Sequence, residues 1–182
     1  ALGTHKRRRR RERVKQRVSV RVAHGHLGFT ANIVAVGHYY GDTIVSAEAV
    51  LDRLLDGRLR EYVRLGLYPG PLGSAEVFLN PEKKPQGAMV IGLGRVGELT
   101  LGHLTIGFAR GALVYATRLA EQEKRAHQGR FPQPVQAKIS TLLIGTGAGG
   151  MTIEDSMAAL LHGVAQANRV LAEQGLANTV VI

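Results

Sequence analysis

The sequence has no cysteine and no tryptophan, and aromatic residues make up only 5% of its 182 positions. Without cysteine the chain can form neither a disulfide nor a thiolate metal site, which fits a reducing compartment, and we expect a cytoplasmic protein. No apolar run approaches the roughly 20 residues that a bilayer crossing needs, so we expect no membrane partner. The scarcity of aromatics, with no basic stripe among the remaining residues, disfavours sequence-specific recognition of nucleic acid.

Positive charge is concentrated near the start of the chain. The net charge is +10, and the segment KRRRRRERVKQR at residues 6–17 accounts for +8 of it, with nine Lys or Arg against one Glu. A run of like charge cannot bury itself, so residues 1–17 are predicted to be a disordered basic arm or linker. Contact with nucleic acid is expected only through this arm, by charge alone.

The remaining residues, 18–182, are predicted to form a single α/β domain. Hydrophobic periodicity predicts an edge strand over 17–23, a buried strand from Asn32 to about Val36, helices between Ser46 and Leu65 with a break at Gly57, strands AEVFL and AMVIG, a helix after Thr100, a strand AKISTLLIG, a helix from about Ile153 and a last strand NTVVI. Because that strand stops in apolar residues, we expect the domain to be truncated at its C-terminal end.

Two glycine-rich segments share the spacing G-x-G-x-x-G. Residues 90–100 read VIGLGRVGELT and residues 143–152 read LIGTGAGGMT. The matched positions are Gly92, Gly94 and Gly97 in the first segment and Gly145, Gly147 and Gly150 in the second. Each segment follows a predicted strand and precedes a predicted helix, and such a repeat builds parallel βαβ units. Right-handed crossovers then place both loops at the C-terminal edge of the sheet.

The repeat continues into the two helices. Thr100 and Thr152 occupy equivalent positions where a helix N-cap belongs, and Asp155 lies three residues after the second of them, as in a capping box. Gly111 and Gly163 are matched glycines in the middle of the helices. Since glycine costs about 1 kcal/mol there relative to alanine, the pair predicts close approach of a neighbouring element and therefore a packing role.

The glycine loops admit two interpretations. They can serve turn geometry and tight packing alone. Alternatively, their backbone N–H groups can hold a phosphate group where two helices begin. The ligand-binding residues predicted by the second interpretation are Gly92, Gly94, Gly97, Thr100, Gly145, Thr146, Gly147, Gly149, Gly150, Thr152, His38 and Asp42. Neither loop has a lysine, and the strand after the first loop does not end in an acid, so neither a P-loop nor a dinucleotide cofactor is expected.

Catalytic and metal-binding patterns are weaker. His38 and Asp42 surround a glycine-bounded turn and form the best acid–base candidate, yet no nucleophile of defined spacing accompanies them. His24 and His26 lie two residues apart without further ligands to complete a metal site. We therefore expect no catalytic residue, no metal and no cofactor in this chain.

Residues 32–120 carry a family resemblance. The order of motifs from IVAVGHYYGDTIVSAEAVLDRLLDG through LGLYPGPLGSAEVFLNP to AMVIGLGRVGELTLGHLTIGFARGALVYA resembles the N-terminal domain of leucyl aminopeptidases. That resemblance implies a macro-domain-like, three-layer α/β/α fold. The later stretch STLLIGTGAGGMTIEDSMAALLHGVAQAN is similar to the second ligand loop of macro domains, which bind ADP-ribose phosphates.

The arrangement is also similar to a segment of large bacterial proteins that carry a caspase-like CHAT protease domain. There a VxHGxL…VGHYxGDTI block precedes LLIGTGxGGxxxEDS. The matching residues in the first block are His24, Gly25, Leu27, Gly37, His38, Tyr39, Gly41 and Asp42, and those in the second are Gly145, Gly147, Gly150, Glu154 and Asp155. Neither the protease's catalytic His and Cys nor the aminopeptidase's metal-binding carboxylates and lysine have counterparts here, so hydrolysis is not implied.

These resemblances lead to two functional hypotheses. The first is a non-catalytic scaffold or sensing module of a larger bacterial protein, whose partners are other domains of the same or an associated protein, such as a caspase-like protease. The alternative is a domain that binds a nucleotide or an ADP-ribose-like phosphate through the two glycine loops.

Overall fold

The computed structural model describes residues 20–126, 135–174 and 179–182. The elements in chain order are a 3-10 turn at Leu27–Phe29, β1 (Ile33–His38), α1 (Ser46–Leu54), α2 (Arg58–Arg64), β2 (Ala75–Leu79), β3 (Gly87–Gly92), α3 (Leu101–Ala126), β4 (Gln136–Thr141), α4 (Ile153–Glu173) and β5 (Thr179–Val181). The predicted edge of the basic arm at residue 17 lies outside the described residues.

The strands form one sheet in the order β2-β3-β1-β4-β5. The central strand β1 pairs in parallel with β3 on one side and with β4 on the other, and β5 continues in parallel from β4. Only β2 runs antiparallel, against β3. The predicted mostly parallel sheet is therefore confirmed, and the loops that follow β1, β3 and β4 emerge at the same edge.

Helices cover both faces of this sheet. Side chains alternate along β1, so that Ile33 and Ala35 join a core under α3 and α4 whereas Val34 and Val36 join a second core under α1 and α2. The first core centres on Phe108, which is fully buried. The result is a three-layer α/β/α architecture, with the long repeat helices together on one face.

The matched glycines of α3 and α4 have the predicted packing role. A β-carbon at Gly111 would lie 2.6 Å from the sulfur of Met89 on the sheet, and one at Gly163 would lie 3.1 Å from Phe108 on the neighbouring helix. Both distances are shorter than an ordinary van der Waals contact. The two glycines therefore bring α3 onto the sheet and α4 onto α3.

Both predicted N-caps are present. The Thr152 hydroxyl accepts the N–H of Asp155 at 3.0 Å, and the Thr100 hydroxyl accepts the N–H of His103 at 3.2 Å. Within the described ranges, no bond returns from the Asp155 carboxylate to the N–H of Thr152, so only half of a capping box forms. The repeat helices thus begin in the same way, immediately after their glycine loops.

Two strand predictions need correction. Residues 20–23 of the predicted edge strand have no regular secondary structure, and Val22 is 88% exposed. The reason is that these residues line a cavity of about 760 Å³ that also borders β4 and β5, so they lack a hydrogen-bonded neighbour strand. The predicted strand AKISTLLIG also ends early, at Thr141, because its parallel pairing with β1 stops there. Leu142 and Leu143 leave the sheet partly exposed.

Asn168 of α4 holds the outermost strand in place. Its side-chain N–H donates to the carbonyl of Val180 at 3.0 Å, and its side-chain oxygen accepts the N–H of Val180 at 2.7 Å. Replacing Asn168 with Ala is expected to lower the free energy of unfolding by about 1–2 kcal/mol, since it leaves two buried backbone groups unpaired. Urea denaturation measures this loss. A loss below about 0.5 kcal/mol is typical of a surface position and would contradict this role of Asn168.

Candidate functional site

Three loops converge at the edge where β1, β3 and β4 end. The exit of β1 is residues 39–45, the first glycine loop is residues 93–100 and the second glycine loop is residues 142–152. The N–H of Tyr40 donates to the carbonyl of Gly94 at 2.8 Å, which ties the exit of β1 to the first loop. A β-carbon at Gly145 would lie 2.6 Å from Leu99, so the two glycine loops also touch. The structure thus brings both predicted loops together.

In the first glycine loop, the N–H groups of Gly94 and Arg95 are hydrogen-bonded within the fold. The N–H of Gly94 donates to the carbonyl of Gly70 at 2.9 Å, and the N–H of Arg95 donates to the Glu98 carboxylate at 2.8 Å. Glu98 therefore places its own negative charge where a ligand anion would have to lie. The N–H groups of Gly94 and Arg95 are therefore already occupied, and ligand binding by Gly92, Gly94, Gly97 and Thr100 stays a prediction.

Glycine in the first loop is required by packing. A β-carbon at Gly92 would overlap the Ser74 hydroxyl and the carbonyl of Pro71, both in the connector before β2. Gly94 has a left-handed backbone, with φ of 69°, and a β-carbon there would lie 2.7 Å from Leu72. Gly97 also has a positive φ, of 91°, but nothing lies within 4 Å of its β-carbon position. The spacing of these glycines thus reflects turn geometry and close contact.

The second glycine loop keeps its donors free. Bonds from Gly150 to the carbonyl of Gly147 and from Met151 to the carbonyl of Gly145, both 3.1 Å, close a tight turn. In the described parts of the chain, no hydrogen bond involves the backbone N–H groups of Thr146, Gly147, Ala148 and Gly149. Consecutive free amides just before a helix form a concave, positively polarised anion site. The two loops share a sequence motif but differ in what their backbones can bind.

Tyr39 lies between β1 and the second glycine loop. Its hydroxyl is fully buried and, among the residues that the structure describes, has no hydrogen-bond partner. A β-carbon at Gly149 would overlap this hydroxyl, so the two residues are in direct contact. Burial raises the pKa of Tyr39, and the hydroxyl therefore stays protonated at neutral pH. Sequence reasoning placed Tyr39 in a matching motif without giving it a role.

The structure does not pair His38 with Asp42. His38 is 6% exposed and lies 3.2 Å from Glu48 of α1, whose carboxylate accepts from the Nδ1–H tautomer. Tyr68 donates to Glu48 Oε1 at 2.7 Å, and the same oxygen lies 3.0 Å from Nδ1 of His38. Asp42 is exposed and accepts the N–H of Thr43 at 2.7 Å. Glu48 is the partner that sequence reasoning missed, because only the docking of α1 brings it to β1.

This His38–Glu48–Tyr68 cluster lies beneath α1, on the opposite side of the sheet from α3 and α4. The rings of His38 and Tyr68 pack edge to face at 4.8 Å between centroids. Burial, with the charge of Glu48 as the next cause, strongly raises the pKa of Tyr68. The cluster therefore holds the last residue of β1, His38, in place on the sheet face that α1 covers.

The cavity of about 760 Å³ adjoins the second glycine loop. Its wall includes Leu142 and Leu143, which lead into that loop, and Met157 of α4. Apolar side chains dominate the lining, and Arg21 and Lys138 contribute positive charge. The lining meets the second glycine loop at Leu142 and Leu143 and includes none of the residues from Thr146 to Gly149. An apolar wall with two cations is suited to the apolar part of a ligand whose anionic part extends past these leucines to the free amides.

The described residues contain neither a cluster of metal ligands nor a membrane-spanning helix. No cluster of three or more His, Asp or Glu side chains in these ranges has the arrangement of a metal site. His26, one of the two histidines considered above, accepts the N–H of Gly28 at 3.1 Å with its Nδ1. None of the described helices has the length and apolarity needed to cross a bilayer.

No protein-family model matches this chain, and no curated protein matches it in sequence. Solved macrodomain structures share its fold. The macrodomain of Mycobacterium tuberculosis DarG has a TM-score of 0.55 at 14% identity, covering 91% of this chain and 97% of that chain. A macrodomain mutant from Oceanobacillus iheyensis has a TM-score of 0.50 at 16% identity, covering 86% of this chain and 79% of that chain. The chain thus has a macrodomain-like α/β/α fold, as predicted. The resemblances to leucyl aminopeptidases and to CHAT-associated proteins remain predictions.

Proposed function

We propose that this chain binds an ADP-ribose-like phosphate ligand and that the second glycine loop holds its phosphate groups. The observation that carries the proposal is the run of four free backbone N–H groups from Thr146 to Gly149, directly before α4. Backbone donors and the helix dipole act together on an anion at such a position. The macrodomain-like fold supports the same ligand class, since the macro domains that the sequence resembles bind ADP-ribose phosphates.

The neighbouring cavity supports a nucleotide-like ligand over a free anion. Its volume of about 760 Å³ lies within the usual range for small-molecule sites, roughly 300–1,000 Å³. Leu142 and Leu143 provide apolar surface for a base next to the phosphate loop. Arg21 and Lys138 add positive charge along the same wall, which favours an anionic ligand.

The proposed contacts come from one loop. They are the free N–H groups of Thr146, Gly147, Ala148 and Gly149. Gly145 and Gly150 close the turn that presents these groups, and Thr152 caps α4 with its hydroxyl. The first glycine loop contacts the second through Leu99, which lies against Gly145, and its Glu98 carboxylate accepts the N–H of Arg95. His38 supports β1 from below.

The scaffold hypothesis predicts a different arrangement. A scaffold role alone does not require an apolar cavity next to a loop whose four amides have no protein partner among the described residues. We therefore favour ligand binding over a scaffold role. The caspase-like protease partner and the cytoplasmic location remain predictions from the sequence.

Replacing Gly147 with Val tests the proposal. Gly147 has an ordinary φ and nothing within 4 Å of its β-carbon position, so the fold accommodates the side chain. A branched side chain there blocks approach of phosphate to the backbone. Isothermal titration with ADP-ribose is expected to show binding by the wild type and at least about a tenfold weaker affinity for the variant, which corresponds to roughly 1.4 kcal/mol. The melting temperatures of both proteins are expected to agree closely.

Gly25→Val is the matched control. Gly25 also has an ordinary φ and open space around its β-carbon position, but it precedes β1 in the chain and lies outside the loops. The control is expected to bind ADP-ribose like the wild type. Wild-type protein that binds neither ADP-ribose nor any of a panel of nucleotides at millimolar concentration would refute ligand binding and favour the scaffold role.

A further inference from the structure

The buried Tyr39 hydroxyl destabilises the ligand-free fold, because it has no hydrogen-bond partner among the described residues. A buried polar group without a partner is destabilising, and native structures keep few of them. Within the described residues this is the one buried side-chain polar atom that lacks a hydrogen bond. It faces the second glycine loop at Gly149, next to the free amides. An unpaired side-chain donor therefore lies against the loop that carries the unpaired backbone donors.

We infer that the Tyr39 hydroxyl is a recognition group for the ligand and donates its hydrogen to a phosphate oxygen held by the second glycine loop. This inference rests on the proposed function and adds a side chain to a site otherwise made of backbone. A phenol is neutral, so it can donate a hydrogen bond to the phosphate, alongside the backbone N–H groups of the loop, without adding a charged side chain to the core.

The backbone around Tyr39 fixes the direction of its side chain. Its carbonyl accepts the N–H of Asp42 at 3.1 Å, and the next residue, Tyr40, donates to Gly94 at 2.8 Å. The ring also packs against the core beneath α3 and α4. A donor held in this way loses little conformational freedom when it binds, which favours affinity.

Access to the hydroxyl requires movement of the second glycine loop. The hydroxyl is covered in the ligand-free fold, where Gly149 lies against it. Gly147 and Gly150 have nothing within 4 Å of their β-carbon positions, so the turn has room to shift outward. A phosphate oxygen then enters between the hydroxyl and the amides, and each finds the partner that the ligand-free fold does not supply.

Tyr39→Phe is expected to separate stability from binding. Removal of an unpaired hydroxyl leaves the melting temperature unchanged or raises it. The same change is expected to weaken binding by about tenfold to a hundredfold, the usual value of a hydrogen bond to a charged group. The measurements are isothermal titrations with ADP-ribose and with inorganic pyrophosphate, together with melting temperatures, on the wild type and the variant.

Tyr40→Phe is the control, because Tyr40 is adjacent in sequence but 53% exposed. It is expected to change neither binding nor melting temperature. Tyr39→Phe that binds both probes as tightly as the wild type would overturn the inference and leave the proposed function intact. Weaker binding of ADP-ribose alone would place the hydroxyl on the ribose, and a clearly lower melting temperature would mean that the hydroxyl has a partner in the fold. Either result overturns the assignment to phosphate. A wild type that binds neither probe refutes the proposed function itself.

Discussion

Replacing Glu48 with Ala is expected to lower the free energy of unfolding by about 3–5 kcal/mol, because two donors lose their acceptor, at about 1–3 kcal/mol each, and a cavity is left behind. Glu48 is only 8% exposed, and its carboxylate serves both His38 and Tyr68. Its loss leaves a buried imidazole and a partly buried phenol without an acceptor and opens a cavity between α1 and the sheet. Chemical denaturation monitored by circular dichroism measures the difference.

Two variants define the cause of this loss. Glu48→Gln keeps the size of the side chain and an oxygen that accepts from Tyr68, so a smaller loss of about 1–2 kcal/mol is expected. Glu82→Ala removes an exposed glutamate from the turn between β2 and β3 and is expected to stay within about 0.5 kcal/mol of the wild type. Equal stability of Glu48→Ala and Glu82→Ala would contradict the conclusion that the contacts of Glu48 with His38 and Tyr68 stabilise the fold.

Replacing Gly92 with Ala is expected to lower the free energy of unfolding by about 3 kcal/mol, the upper end of the usual range for overpacked cores. The added carbon would overlap the Ser74 hydroxyl and the carbonyl of Pro71. A side chain can turn away, but the backbone carbonyl belongs to a connector that also bonds to Gly94 through Gly70. The end of β3 and the connector must therefore separate. Thermal and urea denaturation measure the loss.

Gly102→Ala is the matched control with the opposite expected sign. Gly102 is exposed in the first turn of α3, and its β-carbon position is open except for the Thr100 hydroxyl at 3.8 Å. Alanine there is expected to raise stability by about 0.5–1 kcal/mol, because it reduces the entropy lost by glycine in a helix. Equal effects of the two substitutions on the free energy of unfolding would contradict the conclusion that Gly92 is tightly packed.

Much of the fold could be predicted because its signals are local. Apolar periodicity located every helix, and the repeat placed both glycine loops at one edge of a parallel sheet. The N-caps Thr100 and Thr152 follow from residue type and position alone. The edge strand over 17–23 was wrong in its described part, because alternation along one segment does not show whether a neighbouring strand is within hydrogen-bonding distance.

The site itself was less predictable, since its features depend on contacts between distant segments. The two glycine loops have identical spacing, yet the connector at Gly70 takes up the N–H of Gly94 in the first one. Glu48 reaches His38 only because α1 docks on β1. The isolation of the Tyr39 hydroxyl likewise depends on the path of the second loop. These contacts join segments that are far apart in the sequence, so a pattern of neighbouring residues cannot predict them.

The paired hydrogen bonds of Asn168 also bear on how molecules of this protein meet one another. An uncovered outer strand offers its backbone as a template on which a second molecule can extend the sheet, a common route to aggregation. The Asn168 amide imitates a neighbouring peptide group at Val180 and occupies both of its polar atoms. Neither polar backbone atom of Val180 is therefore free to pair with a strand from another molecule.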